Sequence, residues 1–406
     1  MPSGSDGVVS PPTVAENEVE QWVEEEEGEE GEELSLPTPA SAESVAEKYA
    51  RSQLRVVRET KDYTLDYLQY ALKEKSYIID VAPEYQRRQR WTQTKRSLLI
   101  ESFLMNIPVP PVFLFEKEYN AYEVIDGRQR LDTLREFFAN NFALNGLRYW
   151  KEFNHKRFNQ LPAVIQRGLQ RRSLSAIVLL AETRRPADDE FDVRRVLFDR
   201  LNTGGEKLNP QELRNALYPG PFNHLLITLA RHDLFTSVWG IPPKTPDEDA
   251  VIPDRLSRNV LYKSMADCEL VLRFYAIRDA LLGDIKGSLR SLLDKTMRKR
   301  QGDGDPEIES LRQEFLRCLS LCVETFGPRT FRLPSTDRLS RPLYDALMVA
   351  ASLNPEGNPV SRREEVVRAL QVALTDSANY EVLVGRGNTI EAVRQRVELA
   401  ATVLRA

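Results

Sequence analysis

The sequence predicts an α+β fold, a small mixed-sheet domain followed by an all-α helical bundle, and three observations carry that reading. Between about residues 55 and 225, short apolar runs that suit strands interleave with apolar stripes at helical spacing. From about residue 226 to 406 the strand-like runs disappear, and helical stripes follow one another between Gly, Pro and Asn breakers. Residues 1–48 fit neither pattern. Residues 1–40 hold 12 acids and no Lys or Arg, with Trp22 as their one aromatic. Such a segment buries too little apolar surface to offset the entropy of ordering, so a disordered acidic tail is expected.

The elements follow in order. Leu99, Ile100, Phe103 and Leu104 give one face of a helix near 96–105, which Pro108, Pro110 and Pro111 prevent from continuing. The all-apolar Val112-Phe-Leu-Phe115 reads as a buried strand, and a polar turn over 116–120 leads to a second strand ending in Val124-Ile125. Leu131, Leu134, Phe138 and Phe142 recur as a helix stripe. Ser175 to Leu180 reads as another strand, and Val193, Val196, Leu197 and Leu201 as another stripe. The Pro-rich stretch Ile241 to Pro253 reads as a loop. Helices are then expected near 259–282, 285–299, 307–325, 339–352, 361–374 and 388–405.

Charge and cysteine usage narrow the class. The chain has 56 Lys and Arg against 61 Asp and Glu, but beyond residue 40 the bases outnumber the acids by 56 to 49. Cys268, Cys318 and Cys322 are too few for a disulfide scaffold and fit a reducing compartment. No apolar run approaches the roughly 18 residues of a membrane span, and no basic region precedes an apolar one at the N-terminus. A cytoplasmic protein with no membrane partner is expected.

Site chemistry concentrates in Ile125-Asp126-Gly127-Arg128-Gln129-Arg130-Leu131, where a strand stops and a helix starts. Gly127 allows a sharp reversal and close approach to the main chain. The first helical turn offers N–H groups and the positive end of a dipole, and Arg128 and Arg130 add guanidinium groups, together an anion site suited to phosphate. Asp126 stands where a carboxylate can hold a divalent metal riding on those phosphates, or position a water. The same residues also fit a plainer reading, with Asp126 as helix cap and the arginines as a solvated face. Two further segments favour the site. Pro83-Glu-Tyr-Gln-Arg-Arg-Gln-Arg-Trp91 interleaves bases with aromatics, as phosphate and base contacts require. In Phe198-Asp-Arg-Leu-Asn-Thr-Gly-Gly-Glu-Lys-Leu-Asn-Pro-Gln-Glu-Leu213, the Asn202-Thr-Gly-Gly205 loop is open to a ligand, and Asn209, Pro210 and Glu212 spell a helix start close to a capping box.

Taken together, Y-Q-R near a Trp, L-I-E-S-x-x-x-x-I-P-x-P-P, I-D-G-x-Q-R-L-x-T-L and F-x-R-L-N-T-G-G-x-x-L-N-P-Q-E-L-R-N resemble the N-terminal domain of GmrSD-type restriction systems, over roughly residues 60–225. The resemblance implies a ParB/sulfiredoxin-like fold and a nucleotide-binding, often nucleotide-hydrolysing domain in bacterial defence against modified foreign DNA. It places the signature on Asp126, Gly127, Gln129 and Arg130, makes Gln86 and Arg87 the counterpart of the upstream phosphate-contacting segment, and makes Asn202 and Gly204 the second loop. This chain carries Arg128 where the family signature has Gln, which adds positive charge. No cysteine lies near 126–130, so a sulfiredoxin reaction is not expected. Larger relatives carry an HNH nuclease, which needs histidines; His155, His224 and His232 all precede the C-terminal helices, so none is expected here.

The remaining candidates are plainer. The spacing of eight allows His224 and His232 to share a helix face, but no nearby Cys completes a zinc set. Cys318 and Cys322 read as buried, inert thiols. Arg167, Arg171, Arg172, Arg184 and Arg185 bracket a strand and suit a basic surface for DNA. Arg298-Lys-Arg300 suits a helix C-terminus. Two functional classes follow. In the first, a nucleoside triphosphate binds with Mg²⁺, Asp126 organises the ion and water, and Arg130, helped by Arg128 or Arg87, stabilises the transferring phosphoryl group, gating a separate nuclease or effector subunit. In the second, the same cleft binds DNA or nucleotide without turnover, as a scaffold. An oligomer is compatible with both.

Overall fold

The computed structural model describes residues 58–73, 78–81, 91–180, 209–246, 248, 252–283, 285, 287–334, 336–354, 358–385, 387 and 389–406. The expected acidic tail, the 193–201 stripe and the pair Arg184 and Arg185 lie outside them. The architecture is α+β, with a five-stranded mixed sheet in the N-terminal part and a long helical region after it. Two compact units divide between residues 208 and 209.

In the first unit, β1 (Arg58–Thr64), α1 (Leu65–Ala71), β2 (Ile79–Asp80), α2 (Gln93–Leu104), β3 (Val112–Glu118), β4 (Ala121–Asp126), α3 (Arg128–Phe138), α4 (Ala163–Gln170) and β5 (Ser173–Leu179) succeed one another. The strand order is β1-β5-β3-β4-β2. β3 is central. It runs parallel to β5, with Val112 opposite Ala176, and antiparallel to β4, with Phe113 opposite Asp126. β1 runs antiparallel to β5, and β2 parallel to β4. Alternate residues point the same way along a strand. Val112 and Leu114 of β3, and Leu174, Ala176 and Val178 of β5, therefore share one core with Leu65, Ile100, Phe103, Leu131, Leu134 and Phe137 of the helices.

The expected helix through Phe142 is shorter in the structure. It ends at Phe138 because Asn140 takes a left-handed conformation (φ 62°), and Phe142 is buried from the loop beyond, in ring contact with Phe137 (centroids 5.5 Å).

The second unit holds α5 (Pro210–Leu217), α6 (Pro221–Ala230), α7 (Asp233–Trp239), α8 (Ala266–Gly283), α9 (Leu289–Arg300), α10 (Asp305–Phe326), α11 (Arg341–Leu353), α12 (Arg363–Thr375), α13 (Ser377–Val384) and α14 (Ile390–Arg405). α8 is buried on every side over most of its length, as a central helix is. The helix expected over 259–282 is interrupted at Met265 (φ 58°), which separates the single turn Val260–Lys263 from α8.

Candidate functional site

The strand-to-helix junction is built from β4 and α3. β4 buries Tyr122, Val124 and Ile125 and delivers Asp126 at its end. Gly127 then takes φ 91° and ψ 11° and starts α3, whose first residue is Arg128. Any side chain there would be strained. A Cβ on Gly127 would lie 2.4 Å from Val112 Cγ1 and 2.8 Å from Arg130 Nη2, in a backbone region that L residues avoid. The turn is tight, since the Arg130 and Leu131 N–H groups both donate to Gly127 O (3.0 and 3.1 Å).

Asp126 does not cap the helix, which has no side-chain cap. Its Oδ2 instead accepts from Arg130 Nη2 at 2.8 Å. The same Nη2 donates to Pro111 O at 3.2 Å, which ties the pair to the start of β3. Arg130 Nε is buried with no hydrogen-bond partner in the protein. The Asp126 side chain is 31% exposed and that of Arg130 16%, so the carboxylate is the open side of the pair.

Arg128 turns elsewhere. Two residues apart on a helix, side chains point about 200° from each other. Arg128 Nε reaches Asp132 Oδ2 at 3.4 Å, one helical turn on, and Asp132 also pairs with Arg135 (3.3 Å). Burial pulls the Arg128 guanidinium below its ordinary value against the opposing pull of Asp132. Burial likewise pushes the Asp132 carboxyl up, against Arg128 and Arg135. Gln129 is buried, 8% exposed, and its carbonyl accepts from Thr133 Oγ1 (2.7 Å). The structure thus brings Asp126, Gly127 and Arg130 together and seats Arg128 on Asp132. Gln86, Arg87, Asn202 and Gly204 lie outside the described residues. Asp132 went unnoticed in the sequence, although its spacing of four from Arg128 was a usable signal.

Glu101 was also missed. Only 4% exposed, its carboxylate accepts from three successive backbone N–H groups, those of Arg148 (3.0 Å), Tyr149 (2.8 Å) and Trp150 (3.0 Å). Burial pushes this carboxyl up, but the three amides together outweigh it and hold the group below its usual range. The acid of the L-I-E-S motif therefore pins the 147–150 loop onto α2.

The other candidates have structural partners. Arg172 donates to Phe103 O (3.1 Å) and Asn106 Oδ1 (2.9 Å), whereas Arg167 and Arg171 are exposed. His232 caps α7 through Nδ1, which accepts from Leu234 N–H at 3.3 Å. Cys318 and Cys322 are buried, and burial pushes the Cys318 thiol up to about 11. Arg300 pairs with Asp279 and Asp303. Asn209, Pro210 and Glu212 form the expected start of α5. Asn209 Oδ1 accepts from Glu212 N–H (2.9 Å), and Glu212 Oε2 accepts from Asn209 N–H (3.0 Å).

Among the described residues, no group of three or more His, Cys, Asp or Glu is placed to hold a metal by itself, and no helix is long and apolar enough to cross a membrane. Residues 68–219 match the family model of the GmrSD restriction endonuclease, N-terminal domain. No curated protein and no solved structure matches the chain.

Proposed function

We propose, from a chain that carries a GmrSD restriction endonuclease N-terminal domain over residues 68–219 and whose role is accordingly in a restriction system, that the Asp126–Gly127–Arg130 junction binds and hydrolyses a nucleoside triphosphate. The observation that supports this reading is the carboxylate–guanidinium pair at 2.8 Å, held beside a left-handed glycine where any side chain would be strained. Such a pair stores both charges a metal-bound polyphosphate needs, since each neutralises the other until the ligand arrives.

Mg²⁺ takes one or two carboxylates together with substrate phosphates, so a single partly exposed Asp suits it. When bound, the ion would neutralise phosphate charge. Asp126 is the residue that would hold it. Arg130, released from Asp126, presents its Nη2 to the phosphoryl oxygens, where charge develops in transfer. Arg128 sits on Asp132 and contributes positive potential near the helix start. The family resemblance also assigns phosphate contacts to Gln86, Arg87, Asn202 and Gly204, and in this reading hydrolysis gates a separate nuclease or effector subunit.

A second reading, a scaffold that binds nucleotide or DNA without turnover, is favoured by the commitment of Arg128 to Asp132 and of the Arg130 N–H to Gly127 O, which leaves fewer donors for a transferring group. Phosphate release separates the two. With purified protein, Mg²⁺ and each nucleoside triphosphate in turn, we expect release with at least one nucleotide and a fall of about 100-fold in Asp126→Ala and Arg130→Ala, comparable to loss of a charge-stabilising group. Release no greater than in these variants, with any nucleotide, would favour the scaffold.

A further inference from the structure

A second surface of the first unit, formed by residues other than the Asp126–Arg130 pair, gathers exposed cations and aromatic rings. It comprises the first turns of α2 and the loop 143–157. The loop is firmly seated on α2. Gln93 Nε2 donates to Ala143 O (2.7 Å), Asn145 N–H to Ser97 Oγ (2.9 Å), and Glu101 receives the three amides of 148–150. Gly146, with φ 73°, has space beneath it only because it has no Cβ, which would meet Thr94 Cγ2 at 2.9 Å.

This rigid frame presents unusual groups to solvent. Tyr149 is 72% exposed. Next to it Trp150 stacks on Phe153 (5.3 Å between centroids, 6° between planes), and Lys156 lies over the Phe153 ring. Arg148, Lys151, Arg157 and Lys95 are all exposed, and Lys95 Nζ lies 5.0 Å from the Trp91 ring centroid. Glu152 is the exposed acid among them. A depression of about 420 Å³ is lined by Trp91, Gln93, Arg96, Asn141, Phe142 and Arg157, with the Gln93 and Asn141 amide N–H groups donating to Ala143 O and Glu136 Oε2. Its volume falls in the range of small-ligand sites, roughly 300–1,000 Å³. Arg96 lies over Phe142 at 4.3 Å and keeps one terminal nitrogen without a hydrogen-bond partner in the protein; Glu136 and Asp132 are the acids that face it.

An aromatic ring exposed to this extent on a pinned loop gains nothing for the fold. It can stack on a base only if that base is unpaired, because the bases of a duplex are already stacked on one another. The surrounding cations suit a phosphate backbone, and the depression lies beside the Trp91 indole. We propose that the surface formed by Trp91, Lys95, Tyr149, Lys151, Arg157 and the depression between them binds single-stranded nucleic acid, with unpaired bases stacked on Tyr149 and lodged against Trp91. This goes beyond the nucleotide site and does not depend on it.

The test is fluorescence anisotropy of the full chain with labelled oligo-dT, oligo-U and a mixed-sequence duplex of equal length, at 50 and 200 mM salt. We expect single strands to bind more tightly than the duplex, dT and U arms telling DNA from RNA preference. Tyr149→Ala should weaken single-strand binding about tenfold, the scale of one stacked base. The double variant Lys95→Ala/Lys151→Ala should flatten the logarithmic salt dependence by about 0.7 for each phosphate that is no longer neutralised. All these side chains are exposed, and unchanged circular dichroism and nucleotide affinity would show that the variants fold and that the Asp126–Arg130 site is intact. Absence of single-strand binding at 50 mM salt, a preference for duplex, or single-strand binding that both variants leave unchanged would overturn the proposal.

Discussion

At the scale of single residues, most of the weight falls on Gly127. Its φ of 91° costs a non-glycine residue about 1–2 kcal/mol. The approach of Val112 Cγ1 to 2.4 Å adds an overpacking cost of similar size. Gly127→Ala is therefore expected to destabilise the protein by roughly 2 kcal/mol or more, read as a lower urea midpoint with an unchanged slope. A midpoint equal to that of the parent would show that the turn relaxes freely, and the site would lose its rigid corner. The common location of Asp126 and Arg130 was legible in the sequence because both lie within five residues of one strand-to-helix signal; their ion pair was not. The separation of Arg128 from Arg130 was not read, both guanidinium groups being assigned to one anion site, although helical geometry sends neighbours two apart to opposite sides. What could not be read was Glu101. Its partners lie 47 to 49 positions away, and no local pattern announces that a loop will fold its amides around a carboxylate.

Among elements, the join between α2 and its loop has a pH signature. The folded Glu101 carboxyl titrates below its usual range, so it binds protons less readily than in the unfolded chain. Its contribution to stability is complete above the ordinary glutamate pKa of about 4.3, and is lost as pH falls through the lower folded value. Glu101→Gln should lower stability at neutral pH by about 2 kcal/mol, as loss of charged hydrogen bonds does, and should make the acid-side loss shallower. Identical pH–stability curves for the two proteins would remove Glu101 from its role as anchor. The interior strands and most helices were visible in the sequence because their apolar residues recur at the right period. β1 was not visible. Arg58-Glu-Thr-Lys-Asp-Tyr-Thr64 is a polar edge strand, mostly exposed, and charged edges of this kind guard a sheet against pairing while concealing themselves among loops. β2 spans only two residues, too few for any periodicity to register.

On the scale of the whole molecule, the helical unit is held by buried ions as well as by apolar packing. Arg273 of α8 forks onto Asp345 of α11, which is fully buried, and Arg214 of α5 reaches Asp294 of α9 at 2.9 Å. Glu269 lies within 4.0 Å of guanidinium nitrogens of Arg214, Arg273 and Arg341, and so joins α5, α8 and α11. Removing one partner of such a pair strands the other charge. Asp345→Ala should cost about 3–5 kcal/mol, seen as a fall in thermal midpoint; a loss below about 1 kcal/mol would mean the guanidinium finds water or another acid. Sequence patterns revealed most helices of this unit, though not α7 or α13, and none of the ion pairs across them, because those pairs join positions as far as 80 residues apart.

The central claim is that the Asp126–Arg130 pair opens to receive a polyphosphate. Calorimetric titration of the full chain with nucleoside triphosphate and Mg²⁺ tests this most directly. The account predicts saturable binding of at least one nucleotide, weakened tenfold or more in Arg130→Ala while the melting curve of the variant stays cooperative. Equal affinity in the two proteins, or heat of binding for none of the nucleotides, would contradict it.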